Sequence, residues 1–407
     1  MIQRRHVFHI AGYDPVQPQD QYRRFARQLE IFKRTWNVEA TMSEPSERSG
    51  YPSWTVNTRG PNWATHAIYE LLPWEDIVHK DARGSELWRL FRAAETYLNL
   101  LVTGTIFRYV MANTRYFIFT LFPLLQVGLL AGCSWYAASL FVSWLKINGI
   151  QATAIVALGG LGIFLLLLKW PGRRWRVQQA LDDWILSRDY IYGSRPDVEA
   201  RLHRFADRLL ACAREGDVDE IVVVGHSLGA TFAIDVVARA LDADPNLGRR
   251  GVSICVVTVG ATIPKCALHP AAQRIRDRLA QVVAEPSLYW AEYQARADAI
   301  SFYRFDPATL RRNSENEDRM NSKPTIRRVQ IHDMLAAETF AKHRFRILRL
   351  HYQFVMANDR RSIYDYFMLI CGPVAVEKWT ASKLGFLDFF QHPDDARIAA
   401  PGVGEGA

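Results

Sequence analysis

Two long uncharged runs constrain this chain more than any other feature of its sequence. They cover residues 116–145 and residues 150–168, and neither contains a charged side chain. A helix of roughly 20 apolar residues crosses the hydrocarbon core of a bilayer, so each run is long enough to span it. With only the short turn 146–149 between them, they predict a hairpin of two transmembrane helices. The alternative, a buried helical hairpin in a large soluble core, is disfavoured by their length and hydropathy.

Basic residues lie at the outer ends of this predicted hairpin. Arg108 and Arg115 precede it, and the residues at positions 169, 173, 174 and 176 after it are all lysine or arginine. Because cytoplasmic flanks are enriched in Lys and Arg, both soluble segments are predicted to face the cytoplasm. The formal net charge of +8 is therefore interpreted as favouring interaction with an anionic membrane surface. Because zinc-finger and RNP motifs are absent, no nucleic-acid partner is expected. The apolar stretch 96–107 is too short to span, and a core helix and an interfacial helix both remain open for it.

Outside the hairpin, short β-branched and apolar runs alternate with segments of helical periodicity. Strands are predicted at residues 6–10, 36–41, 54–58, 65–72, 221–224, 252–259, 288–293 and 325–331, and helices at 21–34, 196–214, 230–241 and 271–283. Such alternation is typical of an α/β fold with a mostly parallel sheet flanked by helices. The predicted domain is divided into residues 1–107 and 177–396, with the transmembrane insertion at 108–176 and a flexible tail at 397–407.

The five cysteines are scattered and lack metal-ligand spacing. An odd number of cysteines without such spacing predicts neither a disulfide framework nor a zinc site. The cysteines are therefore interpreted as reduced core residues. No Gly-rich phosphate loop, metal-ligand motif or dinucleotide fingerprint occurs. No metal or organic cofactor is expected.

The most specific local sequence is IVVVGHSLGATFAIDVV at residues 221–237. A continuous apolar strand ends in Gly225-His226-Ser227-Leu228-Gly229, and a helical pattern follows at once, which matches G-x-S-x-G in the required context. The serine of such a motif occupies a strained turn, so the positions two before and two after it must lack bulk. The pattern predicts Ser227 as a nucleophile, with the amide of Leu228 at the helix N-terminus as an oxyanion donor.

With this motif in place, the chain resembles the α/β-hydrolase superfamily, and more narrowly its lipases and esterases. The resemblance rests on four blocks: VFHIAGYDP at 7–15, IVVVGHSLGA at 221–230, LYWAEYQARADAISFYRFDP at 288–307 and RFRILRLHYQFVMAND at 344–359. Together they cover 55 residues, about a sixth of the soluble chain, and only the second is specific by itself. The predicted hairpin belongs to none of them.

The resemblance implies a second oxyanion amide after an early strand. HIAGYDP fits this role, with Gly12 making the turn and Tyr13 donating its backbone N–H. The family's HGGG form is absent here, so a donor one residue away from Tyr13 and an ordinary strand-ending turn are the alternatives.

A serine hydroxyl needs a base, and the base needs an acid to orient it. The family order places the acid and then the histidine after the nucleophile. Asp298 follows the predicted strand 288–293, in a loop at the carboxyl edge of the sheet, and is preferred to Glu292 inside the strand and to Asp306 in a turn with Pro307.

Two arguments disagree about the histidine. Its position directly after the last predicted strand favours His332, whereas the resemblance favours His351 among apolar neighbours, with His343 behind both. We select His351 as the base and retain His332 as the alternative. His226, next to the nucleophile, is expected to shape the turn, because neighbours at a tight turn point in different directions.

The sequence therefore predicts a membrane-anchored serine hydrolase acting on a carboxylic ester or thioester, with a lipid or another acyl compound that partitions into the bilayer as substrate. Two alternatives remain. An acyltransferase would use the same acyl-enzyme. A non-catalytic membrane scaffold would retain the fold only to bind a partner.

Overall fold

A computed structural model describes residues 1–249, 251–313, 322–390 and 397–398. The chain divides into two compact units, of which the first comprises Met1–Asp76 and Pro196–Ala407 and the second Ile77–Arg195. The second unit contains the predicted insertion 108–176 together with the helices on either side of it. Of the predicted tail at 397–407, all but residues 397 and 398 lie outside the described residues.

All described strands belong to the first unit. They are β1 Arg4–Ile10, β2 Glu39–Met42, β3 Ser46–Arg48, β4 Tyr51–Gly60, β5 Trp63–Leu71, β6 Glu220–His226, β7 Ser253–Val259, β8 Leu288–Ala295, β9 Phe305–Asp306, β10 Arg311–Arg312 and β11 Thr325–Val329. One sheet has the order β11-β8-β7-β6-β1-β5-β4-β2, with β3 paired to β4, and β9 and β10 form a separate pair. The neighbours from β11 to β5 run parallel, whereas β4 pairs antiparallel with β5, β2 and β3. The architecture is α/β with a mostly parallel mixed sheet flanked by helices.

The described helices are distributed between both units. In chain order they are α1 Pro18–Trp36, α2 Glu75–Ala82, α3 Glu86–Val102, α4 Thr105–Ala112, α5 Thr114–Trp144, α6 Ile150–Leu167, α7 Val177–Ile191, α8 Pro196–Glu215, α9 Leu228–Ala243, α10 Ile263–Ala267, α11 Gln273–Ala284, α12 Ile331–Met334, α13 Ala337–His343, α14 Ile347–His351, α15 Tyr366–Cys371 and α16 Val376–Ala381. A π-helical turn, Leu168–Gly172, continues α6.

The centre of the sheet aligns the strand ends that carry the candidate site. Every residue of β6 is buried, as expected of a parallel strand covered on both faces. β1 pairs with β6 so that Ile10 lies opposite Gly225. At the other end of the same pair, the buried Arg5 guanidinium lies 2.7 Å from the Glu220 carboxylate and also donates to the carbonyls of Gly372 and Val374. The loops after β1 and β6 therefore leave the sheet side by side.

The second unit contains two helices, Thr114–Trp144 and Ile150–Gly172, that are long and apolar enough to cross a membrane. Only 22% and 6% of their most apolar windows is buried inside the protein. They pack against each other through a small cluster that includes Ala138, Val142 and Val156. Most of their large apolar side chains are left exposed.

Three sequence predictions differ from the structure. Trp36 is not the start of a strand but the last residue of α1, and β2 begins at Glu39 after the left-handed cap residue Asn37. The strand predicted at 325–331 ends at Val329, because the chain enters the short α12. Four of the cysteines are buried, but Cys133 is exposed on α5, so it is not a core residue.

Candidate active site

Ser227 lies at a strained turn between β6 and α9. Its backbone has φ 56° and ψ −123°, a conformation that non-glycine residues rarely adopt and that costs of order 1–3 kcal/mol. The Ser227 amide donates to the Val259 carbonyl at 3.2 Å, and its carbonyl accepts from the amides of Ala230 at 3.1 Å and Thr262 at 3.3 Å. Surrounding backbone therefore holds the serine in this conformation.

Close backbone approach explains the glycines around the serine. A methyl group at Gly225 would lie 2.5 Å from Ala230 Cα, and one at Gly229 would lie 2.2 Å from the Ile10 carbonyl oxygen. A methyl group at Gly12, in the loop after β1, would lie 2.8 Å from Ser227 Cβ. Since none of these positions has room for a side chain, the turn can form only with glycine there.

Asp298 and His351 form a buried hydrogen-bonded pair. Asp298 follows β8, and its Oδ2 lies 2.8 Å from His351 Nδ1 at the end of α14. The other carboxylate oxygen accepts the Ile300 amide at 3.0 Å, and only 1% of Asp298 and 3% of His351 is exposed. Because an ionised carboxylate only accepts hydrogen bonds, the proton of this bond belongs to His351 Nδ1. His351 Nε2 is buried and makes no hydrogen bond to any described residue, Ser227 included.

Both the serine and the histidine contact the turn after β7. A methyl group at Gly260 would lie 3.1 Å from His351 Cε1, and the preceding carbonyl, that of Val259, accepts the Ser227 amide. The rings of His226 and His351 have centroids 4.6 Å apart. His226 Nε2 also lies 3.2 Å from the His351 carbonyl oxygen. The structure therefore brings Ser227, Asp298 and His351 to one edge of the sheet.

Two further histidines beside the site, His226 and His9, have lowered pKa values. Burial, followed by the nearby His351, holds the pKa of His226 well below its usual range. Burial, followed by the positive charge of Arg24, lowers the pKa of His9 to about 3. A neutral His226 donates from Nε2 to the His351 carbonyl and so fixes the backbone that carries the His351 ring.

Leu228 and Tyr13 both lie in segments that are adjacent to Ser227. Leu228 is the first residue of α9, where backbone amides have no acceptor within the helix. Tyr13 follows Gly12, and a methyl group at Gly12 would lie 3.3 Å from Ser227 Oγ. The carbonyl of the preceding Ala11 accepts from Trp74 Nε1 at 3.0 Å. The two amides that sequence analysis selects are thus carried by segments adjacent to the serine.

The competing carboxylates make other contacts. Glu292 is buried in β8, accepts the Thr258 hydroxyl, and has its pKa raised to about 8 by burial. Asp306 accepts the amides of Ala308 at 2.9 Å and Thr309 at 3.2 Å, which closes a local turn. Asp298 is the acid in contact with His351.

The competing histidines also lie in other surroundings. The His332 side chain is 54% exposed, and its Nε2 lies 2.9 Å from Asp333 Oδ1. His343 ends α13, and its pKa is lowered by burial and by neighbouring arginines and a lysine. His351 is the histidine that the structure pairs with Asp298.

Three residues beside the site, Asp14, Tyr352 and Gly260, were not predicted from the sequence. The Tyr352 hydroxyl donates to the buried Asp14 carboxylate, and the Tyr352 ring lies 5.2 Å from the His226 ring. Gly260 makes room for the His351 ring. Asp14 and Tyr352 lie inside the blocks that carry the resemblance. An aspartate or a tyrosine at these positions does not by itself indicate a functional role. A glycine directly after the predicted strand 252–259 was a usable signal for a close approach.

The described residues contain no group of three or more His, Cys, Asp or Glu side chains placed to hold a metal ion. Comparisons with protein-family models, with curated proteins and with solved structures find no match. The geometry of this site is therefore the basis for assigning a function to the chain.

Proposed function

We propose that this chain is a membrane-anchored serine hydrolase of the α/β-hydrolase type, which cleaves a carboxylic ester or thioester with a lipid-like acyl group. One observation carries the proposal. The strained Ser227 and the buried His351, whose imidazole is paired with Asp298, contact the same turn after β7. A structural serine would require neither the strained backbone nor a buried, oriented imidazole next to it.

His351 is the general base in this proposal. Because Nδ1 is engaged by Asp298, Nε2 is the nitrogen that can accept a proton, and it has no partner within the described chain. Catalytic hydrogen bonds are often long in a free enzyme and tighten when substrate binds. The Asp298 carboxylate orients the imidazole and stabilises the imidazolium that forms.

The reaction proceeds in two steps. Ser227 Oγ bonds to the acyl carbonyl carbon while His351 Nε2 takes the hydroxyl proton, and the amides of Leu228 and Tyr13 stabilise the oxyanion. His351 then protonates the leaving alcohol or thiol as its bond to the acyl carbon breaks. Water, deprotonated by His351, attacks the acyl carbon, and the bond from this carbon to Ser227 Oγ breaks as His351 returns the proton to Ser227 Oγ, which releases the carboxylic acid.

The two apolar helices support membrane anchoring. Large exposed side chains along α5 and α6, such as Leu125, Leu158 and Leu166, need an apolar environment that the protein does not provide. In this proposal both soluble segments face the cytoplasm, because basic residues flank the helices on that side and the connecting turn carries only Lys146. In a Cys133→Ser background, a membrane-impermeant maleimide should label Asn148→Cys only when it is added on the side of the membrane opposite to the cytoplasm. Labelling of Asn148→Cys from the cytoplasmic side would show that the chain has the opposite orientation in the membrane.

Covalent labelling by a fluorophosphonate probe tests catalysis in the detergent-solubilised chain. We expect the wild type to be labelled and Ser227→Ala to be unlabelled. Ser194→Ala is the matched control, because Ser194 is exposed at the start of the segment before α8 and should label like the wild type. A folded wild type that fails to label would contradict the proposal and favour the non-catalytic scaffold.

Acyl transfer is distinguished by the product. An acyltransferase forms the same acyl-enzyme but passes the acyl group to an alcohol. If added lysolipid or alcohol captures the acyl group in preference to water, the chain is a transferase. If the free acid is the main product, it is a hydrolase.

A further inference from the structure

Helix α3 carries a stripe of exposed apolar side chains outside the two candidate membrane spans. Each of these side chains is between 51% and 77% exposed: Leu87, Trp88, Phe91, Leu98, Leu101 and Val102. Their spacings of three, four and seven residues place them along one side of a helix. We refer to these six residues as the α3 stripe.

The opposite side of α3 already has a packing partner. Arg89, Ala93 and Tyr97 are buried there, and the Arg89 guanidinium lies 2.7 Å from the Asp182 carboxylate of α7. Tyr97 packs against Trp184 of the same helix. The α3 stripe is therefore not the face that holds α3 to its unit. A soluble surface rarely leaves so many large apolar side chains in one patch unless something covers them.

The stripe continues toward the first candidate span. After the break at Gly104, α4 exposes 62% of Phe107 and 75% of Met111. Asn113 then caps α5 by accepting the Arg115 amide at 3.0 Å. Exposed apolar side chains thus occur on α3, α4 and α5, which follow one another directly in the chain, and α5 itself requires an apolar environment. A second copy of the chain on α3 would leave the surface of α5 and α6 uncovered, whereas a bilayer covers both.

The ion pairs of α3 limit how deeply it can enter the bilayer. Arg89 and Arg92 are paired with Asp182 and Asp189 of α7, and such charges are costly in the hydrocarbon core. Exposed Arg108 lies in α4 and exposed Arg115 in the first turn of α5, and basic side chains at the end of a span are typical of the level of anionic headgroups. These features are those of an interfacial helix and not of a third span.

We propose that α3 and α4 lie in the headgroup region of a lipid bilayer, with the α3 stripe against the acyl chains. The proposal rests on the membrane anchoring proposed above and is independent of whether Ser227 is a nucleophile. It resolves the choice between a core helix and an interfacial helix that the sequence 96–107 left open.

Site-specific fluorescence quenching tests this placement in the full chain, reconstituted in vesicles of phosphatidylcholine and phosphatidylglycerol. Cys133, the exposed cysteine on α5, is labelled in the wild type as the deep reference. In a Cys133→Ser background, Leu98→Cys reports the stripe. Arg27→Cys on exposed α1 surface is the aqueous control. Nitroxide lipids carry the quencher either near the headgroup or deep in the acyl chain.

We expect the Leu98→Cys label to lose most of its fluorescence with the shallow quencher, and the Cys133 label with the deep one. The Arg27→Cys label should be quenched by neither. If Leu98→Cys does not fold, Val102→Cys, at 77% exposed, replaces it.

A stripe label that neither lipid quenches, beside a quenched Cys133 label, would overturn the proposal and indicate that protein covers the stripe. An unquenched Cys133 label would overturn the membrane anchoring as well. Fluorophosphonate labelling of Ser227 measures catalysis separately in the same samples, so failure of one proposal is not confused with failure of the other.

Discussion

The turn around Ser227 and the hairpin of α5 and α6 are both rich in glycine and apolar residues. They differ in whether a side chain would fit at the glycine positions. A methyl group at Gly225 or Gly229 would lie within 2.5 Å of backbone atoms. No atom of another segment lies within 4 Å of a methyl group at Gly128, Gly132 or Gly162. The turn is therefore specified position by position, whereas these faces of the hairpin helices are specified by their overall apolar character. Substitutions should be judged by region and not by residue type.

The largest effect is expected from adding one methyl group to the turn. Gly229→Ala places a Cβ atom 2.2 Å from the Ile10 carbonyl oxygen, and that oxygen belongs to backbone that cannot rotate away. We expect a loss of about 3 kcal/mol or more in stability, together with loss of fluorophosphonate labelling. Thermal unfolding of the purified variant measures the first effect. A melting temperature equal to that of the wild type would show that the turn is not tightly specified.

Removing the charge of Asp298 should reduce reactivity without unfolding the chain. Asp298→Asn keeps the size of the side chain but cannot hold the protonated His351 Nδ1 in the same tautomer, so the labelling rate should fall by about 10³–10⁴-fold. His332→Ala, at an exposed position beside Asp333, should label at the wild-type rate. The reverse ranking of these two variants would reassign the base to His332.

The elements that can be predicted from sequence are those whose signal is local. β6, the turn at Ser227 and α9 follow from residues 221–237, because an apolar run, two glycines and a helical pattern are contiguous. The two long apolar helices follow from composition alone. Asp298 was a reasonable candidate because the end of β8 brings the following loop to the carboxyl edge of the sheet.

The position of His351 could not be derived from local pattern. Three short helices, α12 to α14, separate β11 from the site, so a position directly after the strand favoured His332, which points to solvent instead. The buried ion pair of Arg5 and Glu220 could not be predicted from local pattern either, because charged residues are usually exposed. Such contacts join segments that are far apart in sequence, and no single segment contains a signal for them.

The sheet also contains a buried acid whose protonation should affect stability, whereas the two apolar runs of the hairpin have no ionisable carboxylate. Burial raises the pKa of Glu292 from its ordinary value of 4.5 to about 8. Between these two values the folded chain holds a proton that the unfolded chain has lost. The unfolding free energy should therefore fall as the pH rises from 4.5 to 8, by up to about 1.4 kcal/mol per pH unit.

Glu292→Gln isolates this effect. The amide is isosteric with the protonated acid and can still contact Thr258 and Gln294, which both hydrogen-bond to Glu292. We expect the melting temperature of Glu292→Gln to exceed that of the wild type increasingly between pH 5 and 8, and the two to converge below pH 5. A constant difference across this range would show that Glu292 is ionised in the folded chain.

The smallest effect is expected from the counterpart of Gly229→Ala in the hairpin. Gly132→Ala adds a methyl group in the middle of α5, where no atom of another segment lies within 4 Å. Alanine favours a helix over glycine by at most about 1 kcal/mol in water, and the backbone hydrogen bonds of a helix in lipid are already satisfied within the segment. The variant should match the wild type in melting temperature and in fluorophosphonate labelling, or be slightly more stable. A destabilisation as large as that of Gly229→Ala would mean that a close partner packs against this face of α5, and that the hairpin is specified by contacts after all.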